Sequence, residues 1–348
     1  MVSSRATIIA TEFCMNVNPK DIVLIYADKQ NEIVAKIAQE IANAAIDLTE
    51  DPDRVLLFIK PTSPPLNGEK RIPHKDVHDA LVKPPGGKYP TKIFLITSPE
   101  SGVSYTTTIS VKPAMQHKAC FASMPMLLHR SFTEPLDLAP MQMRDMKTRA
   151  DKLYEILKKS RCMHITTPAG TDYFTTIDVK SVTKDLGEIY KAKNKMGNLP
   201  GGEVFFVPFE FSEHNNGTLV VDAMLPRWEA KEPMKFTVCK GRIIRKESDA
   251  PKLYWDDVKC DDDLVIGEIG IGINPKAKVV ETMLESEKAF ETCHFAVGNN
   301  KELQGRIIGG THRDRLLLKP TITVYRNIKK GMQRKNGTVL LENGKFKV

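Results

Sequence analysis

The first third of the chain alternates short apolar runs with segments of helical spacing. Asp21 to Tyr26 carries no polar alternation, as expected of a strand covered on both faces. The stretch that follows sets Ile33, Ile37 and Ile41 beside Val34, Ala38 and Ala45, which predicts a helix with one apolar face. Val55 to Ile59 and Ile93 to Thr97 are two further short, unalternating runs. Together they predict an α/β amino-terminal domain built on a largely parallel sheet flanked by helices. Pro61, Pro64, Pro65 and the Pro84-Pro85-Gly86-Gly87 stretch mark a surface excursion between the runs, because proline supplies no amide to a ladder and breaks a long helix.

A helical pattern from Met146 to Lys159, with Leu153, Ile156 and Leu157 clustered, leads to a strand at Met163 to Thr167. The pattern changes there, and the expected division is an α/β domain over 1–150 and an α+β metal-binding domain over 151–348. Beyond it lie β-rich segments joined by turn residues. Thr218 to Met224 is one strand, and Phe236 to Cys239 turns through Lys240-Gly241 into Arg242 to Arg245. A last hairpin is predicted at Asn343-Gly344, a pair that suits the two positive φ angles of a type I′ turn.

Composition narrows the class. The 348 residues are 41% hydrophobic and 27% charged, as in ordinary globular proteins and unlike disordered or fibrous chains. The net charge of +8 comes from basic residues interleaved with acids, which reads as solubility and not as a specific nucleic-acid surface. Cys14, Cys120, Cys162, Cys239, Cys260 and Cys293 contain no CxxC pair, so zinc-ribbon and thioredoxin-like readings fall away and reduced thiols are expected. No apolar run nears the ~20 residues needed to cross a bilayer, and the amino terminus lacks a secretory pattern. No membrane partner and a cytoplasmic location are the resulting expectations.

The candidate chemistry sits in the second half. Glu268 lies in the apolar run Val265-Ile266-Gly267-Glu268-Ile269-Gly270, where an ionised carboxylate needs a partner or a metal. His294 opens His294-Phe295-Ala296-Val297-Gly298 on or beside a buried strand. His312 and Asp314 form an H-x-D pair, and on an extended segment residues two apart share a face. Glu287 falls in Glu285-Ser286-Glu287-Lys288, whose polarity by itself reads as a solvated helix face. Glu203 follows the constrained loop Gly197-Asn198-Leu199-Pro200-Gly201-Gly202 and leads into a strand. Gly267, Gly270 and Gly272 are spaced GxxGxG with no helix opening after them, unlike the dinucleotide fingerprint.

Taken together, Asn198 to Phe205, Gly267 to Gly270, Glu287-Lys288-Ala289 before Cys293 to Gly298, and His312-Arg313-Asp314 resemble the M29, aminopeptidase T-like metallopeptidases. The Pro168-Ala169-Gly170-Thr171-Asp172 turn adds to the likeness, which spans roughly residues 145 to 315. The resemblance implies that Glu203, Glu268, Glu287, His294, His312 and Asp314 hold two divalent ions, with zinc, cobalt, manganese or magnesium all suited to such ligands. It implies a metallo-aminopeptidase, a hydrolase in which metal-activated water attacks the first peptide bond and Glu203 carries the proton. A peptide or small-molecule substrate and a homodimer are implied as well. One departure stands out, because the family's tyrosine after the histidine is replaced here near Asn300-Lys301. The alternative on the same fold is an iron(II) ring-cleaving dioxygenase acting on dihydroxypyridines, with His294, His312 and Asp314 as ligands. A third is a non-catalytic metal- or ligand-binding relative.

Overall fold

A computed structural model describes residues 4–62, 74–101, 109–221, 234–247 and 258–348. The chain divides into two compact units. The first comprises residues 1–140 and 187–201, the second 141–186 and 202–348.

In the first unit β1 (Val23–Asp28), β2 (Val55–Lys60), β3 (Lys92–Ile96), β4 (Cys120–Met124) and the later β8 (Met196–Asn198) form one sheet in the order β2-β1-β3-β4-β8. Every pairing is parallel, as the unalternating runs predict. Central β1 is buried throughout, whereas β2, at the edge, is only half-buried. The helix Glu32–Thr49 packs on β1 and β2. It is capped by the Asn31 side chain, which accepts a hydrogen bond from the Ile33 amide. Its buried face holds Val34, Ile37, Ala38, Ile41 and Ala45. Ile33, expected on that face, is 45% exposed because it lies in the first turn, ahead of the sheet contact. Leu24, Tyr26, Ile93, Leu95 and Phe121 pack with Val77, Leu81 and Ala114 of two short helices, Lys75–Val82 and Lys112–Gln116. The first of these helices falls within the proline-rich excursion, where two turns fit between Pro73 and Pro84. Pro64 and Pro65 lie outside the described residues.

The second unit opens with the helix Pro140–Lys158, which buries Met146, Ala150, Leu153 and Leu157. Its strands are β5 (Cys162–Thr166), β6 (Asp172–Thr176), β7 (Thr183–Asp185), β9 (Glu203–Phe206), β10 (Asn216–Val221), β11 (Met234–Cys239), β12 (Arg242–Glu247), β13 (Ile266–Gly272), β14 (Cys293–Gly298), β15 (His312–Leu317), β16 (Thr321–Tyr325), β17 (Thr338–Glu342) and β18 (Lys345–Phe346). Two antiparallel sheets result, ordered β12-β11-β10-β6-β5-β16-β17-β18 and β15-β14-β13-β9-β7. The end of the strand expected to run to Met224 lies outside the described residues. The Asn343-Gly344 turn has φ of 47° and 77°, and the hairpin between β17 and β18 forms as predicted. The molecule is thus α/β in its first unit and α+β in its second. Among the described residues no helix is long and apolar enough to cross a membrane.

Candidate metal centre

Strand register explains why residues 111 positions apart in sequence meet. In the five-stranded sheet Glu203 of β9 stands opposite Gly272 of β13, and Gly270 stands between Phe205 and His294. Ala296 of β14 faces Glu268 on one side and Asp314 on the other, and Gly298 faces His312. Directly opposed residues share a face, as do residues two apart. Glu203, Glu268, His294, His312 and Asp314 therefore project from one side of the sheet, and Asp185 of β7, opposite Glu203, joins them. Val204, Phe206, Ile269, Ile271, Cys293, Phe295 and Leu317 take the other side and are buried.

The polar side is interleaved with Phe205, Gly270, Gly272, Ala296 and Gly298, and other groups lie close over the glycines: the His294 ring at Gly270, the Ala289 carbonyl at Gly272 and the Thr311 carbonyl at Gly298. At Gly270 a Cβ would lie 2.2 Å from Cε1 and 2.3 Å from Nε2 of His294. The imidazole therefore lies across the strand where any larger residue would project.

Around this floor His294 Nε2 is 3.2 Å from Glu203 Oε2 and 3.7 Å from Glu268 Oε1. His312 Nε2 is 3.3 Å from Glu268 Oε2 and 3.5 Å from Asp314 Oδ1, so the two oxygens of Glu268 face the two imidazoles. His312 Nδ1 lies 2.7 Å from the carbonyl of Asn299. A carbonyl only accepts, so Nδ1 carries the hydrogen and Nε2 is left to face the carboxylates, the orientation that metal-bound histidines use. Asp263 steadies the approach to β15 by accepting hydrogen bonds from the amides of Lys259, Cys260 and Thr311.

Glu287 takes a different place. It caps a single helical turn, Met283–Ser286, and its Oε1 accepts a hydrogen bond from Lys288 Nζ at 2.7 Å. The same ammonium donates to Glu203 Oε1 at 2.5 Å and lies 4.0 Å from Asp185. The polarity of Glu285-Ser286-Glu287-Lys288 suggested a solvated helix face, yet all four residues are buried, Lys288 with 1% exposure. Lys288 and Asp185 were not legible as site residues. Their only sequence pointers were adjacency to Glu287 and a β-strand position facing Glu203.

The charges perturb one another. Burial raises the carboxyls of Glu203 and Glu287 despite the Lys288 ammonium, Glu287 to about 8. Burial also opposes ionisation of Glu268 and Asp314, but the two histidines outweigh it and hold both carboxyls low. For His294 the loss of solvent is overcome by the hydrogen bond to Glu268 and by the surrounding carboxylates, raising it to about 9. His312, opposed in the same way, is lifted by Asp314 and Glu268.

Two groups of three side chains bring ligand atoms within 4.8 Å of one another: Glu203, Glu268 and His294, and Glu268, His312 and Asp314. The expected iron triad of His294, His312 and Asp314 is not one of them, because Glu268 stands between the imidazoles. The donor set nevertheless fits a divalent first-row ion, since carboxylates and imidazoles suit such metals. Among the described residues Glu203 Oε2 and His294 Nδ1, both buried, make no hydrogen bond, although Glu203 Oε2 stands 3.2 Å from His294 Nε2. A buried polar atom without such a bond is costly unless another group, such as a cation, serves it. Asn300, where the peptidase resemblance has a tyrosine nearby, is buried and bound to Glu210, Gly267 and Ile307.

Comparison with known proteins bears directly on the chemistry. The structure of 2,5-dihydroxypyridine dioxygenase from Pseudomonas putida KT2440 is similar over 98% of this chain and 96% of that one, with a TM-score of 0.66 and 15% identity. Wild-type AmpT from Thermus thermophilus is similar over 99% and 98%, with a TM-score of 0.60 and 14% identity. At these identities both likenesses concern the fold. No curated protein matches the sequence. The family model described as NicX: 2,5-dihydroxypyridine 5,6-dioxygenase matches residues 122–324, more than half of the chain and every strand of the site sheet. The expectation of a metallo-aminopeptidase is overturned by that match, which points to an oxidoreductase and not a hydrolase. Both solved structures share this fold, so likeness at that level does not separate them. By its sequence the chain belongs to the NicX, 2,5-dihydroxypyridine 5,6-dioxygenase family.

Proposed function

We propose that the protein is an iron(II)-dependent dioxygenase that opens the ring of a dihydroxylated pyridine. The observation that carries this reading is the Glu268, His312 and Asp314 group, three convergent ligands on one sheet face within the segment matched by the dioxygenase family. Those three side chains would hold the ion, with His294 on the second oxygen of Glu268. A ferrous ion held there would supply reactivity toward dioxygen and a Lewis acid for a substrate hydroxyl.

The remaining residues have separate tasks. The Asn299 carbonyl fixes the tautomer and tilt of His312, so that Nε2 is presented without rearrangement. Glu203 Oε2 makes no hydrogen bond among the described residues and stands 3.2 Å from His294 Nε2, and burial raises its carboxyl. It is the base in this reading, accepting the proton that a ring hydroxyl gives up on binding. Lys288 holds the other oxygen of Glu203 in place.

Ferrous-loaded protein mixed with 2,5-dihydroxypyridine in air-saturated buffer should lose the aromatic absorbance of the substrate while dioxygen is consumed. Folded, iron-loaded protein that leaves the dihydroxypyridine intact would remove the proposal.

A further inference from the structure

Resting on the metal-centre reading above, we propose that the Lys288 ammonium is a built-in cation that replaces a second divalent ion, so that the centre takes one ion and holds a latent second site. The sheet face offers two overlapping ligand groups, joined by Glu268. The group of Glu268, His312 and Asp314 contains none of the lysine's partners. The group of Glu203, Glu268 and His294 contains one, because Glu203 gives Oε1 to Lys288 at 2.5 Å. Glu287 gives its Oε1 to the same ammonium at 2.7 Å, and Asp185 stands 4.0 Å from it.

Charge explains the arrangement. Asp185, Glu203, Glu268, Glu287 and Asp314 are five acids on or beside one floor, and the ammonium lies within 4.0 Å of three of them, Asp185, Glu203 and Glu287. A lysine at 1% exposure, donating to two carboxyls, is thus a fixed member of the centre and not a surface charge folded inward. Its position on the chain makes it durable, since it follows a one-turn helix directly and its backbone amide bonds to the Glu285 carbonyl. A second divalent ion on Glu203 would lie against a cation already there and would be repelled.

Removing the charge while keeping the length of the side chain should open the latent site. The native protein, Lys288→Arg and Lys288→Met are each saturated with cobalt(II), freed of excess ion by gel filtration and counted for cobalt per chain by mass spectrometry. One, one and two ions are the expected counts, with the melting temperature of Lys288→Met rising more steeply with cobalt than that of the native protein. Two ions in the native protein or in Lys288→Arg would overturn the proposal, and so would a single ion in folded Lys288→Met. If Lys288→Met folds only with metal present, it is purified in cobalt and counted in the same way. A native count of zero removes the metal centre itself and this inference with it. A native count of two with dioxygen uptake intact removes only the role given to Lys288.

Discussion

Replacing Gly270 by alanine adds one methyl group at the point where the metal-centre account is sterically most exposed. The new Cβ would lie 2.2 Å from His294 Cε1, 2.3 Å from Nε2 and 3.1 Å from Glu203 Oε2. Non-bonded carbon atoms settle near 3.5–4.0 Å. The imidazole therefore has to retreat by more than an ångström, away from both Glu203 and Glu268. His294 is 1% exposed and stands against Glu203 and Glu268, so the cost is that of an overpacked core, about 1–3 kcal/mol. For a unit of this size that corresponds to a fall in melting temperature of roughly 2–12 °C. The backbone at Gly270 has no positive φ, so the loss is steric and the ring is its cause. Differential scanning calorimetry on Gly270→Ala, His294→Ala and the double variant isolates the clash. The double variant should be more stable than the two single losses predict, by about the clash energy. A Gly270→Ala protein that melts with the native one, or a double variant whose losses simply add, would refute the placement of the ring over the strand.

Other expectations follow from the same geometry. In metal-free protein the folded value of His294 is about 9 against 6.5 for the free side chain, so its contribution is full below pH 6.5 and is lost as pH rises through 9. The loss is on the order of 3 kcal/mol and should appear as a falling melting temperature between those limits. Glu287, raised to about 8 from 4.5, acts with the same sign between pH 4.5 and 8, and Glu287→Gln should flatten that part of the profile. A divalent ion that displaces the histidine protons should bind more tightly as pH rises from 7 to 9, which isothermal titration would register as proton release. Asp263→Ala strips the acceptor from the amides of Lys259, Cys260 and Thr311 and should cost about 2–3 kcal/mol in denaturant unfolding, with weaker ion binding because Thr311 precedes His312. Ion at one hundred times its dissociation constant should stabilise native protein by about 2.7 kcal/mol, and His312→Ala or Asp314→Ala should abolish that gain.

Much of the fold was legible because the responsible patterns are local. Unalternating runs at Asp21–Tyr26 and Ile93–Thr97 signal strands covered on both sides and a largely parallel sheet, and the strands form as Val23–Asp28 and Lys92–Ile96, paired in parallel. The Asn343-Gly344 hairpin is decided by two residues that tolerate positive φ. His312 and Asp314 could be paired because strand geometry alone puts residues two apart on one face. Other features depend on register between distant strands, which local pattern does not carry. Nothing near Met196–Asn198 announces that it pairs with Cys120–Met124. Lys288 could not be read as buried, because a charged run beside a short helix has the polarity of a solvated face. Only the fold brings Glu203 to the ammonium from 85 positions away. The chemistry was misassigned for a related reason, since a set of carboxylates and imidazoles points to a metal centre before it points to a reaction.

The central claim is that this centre reacts with dioxygen. Its most direct test is oxygen uptake by protein loaded anaerobically with ferrous ion and then given 2,5-dihydroxypyridine in oxygenated buffer, with the metal content of the same sample counted. The account predicts one dioxygen consumed for each ring opened, and no uptake in Asp314→Ala. Iron-loaded, folded native protein that takes up no dioxygen, or that takes it up equally without Asp314, would contradict it.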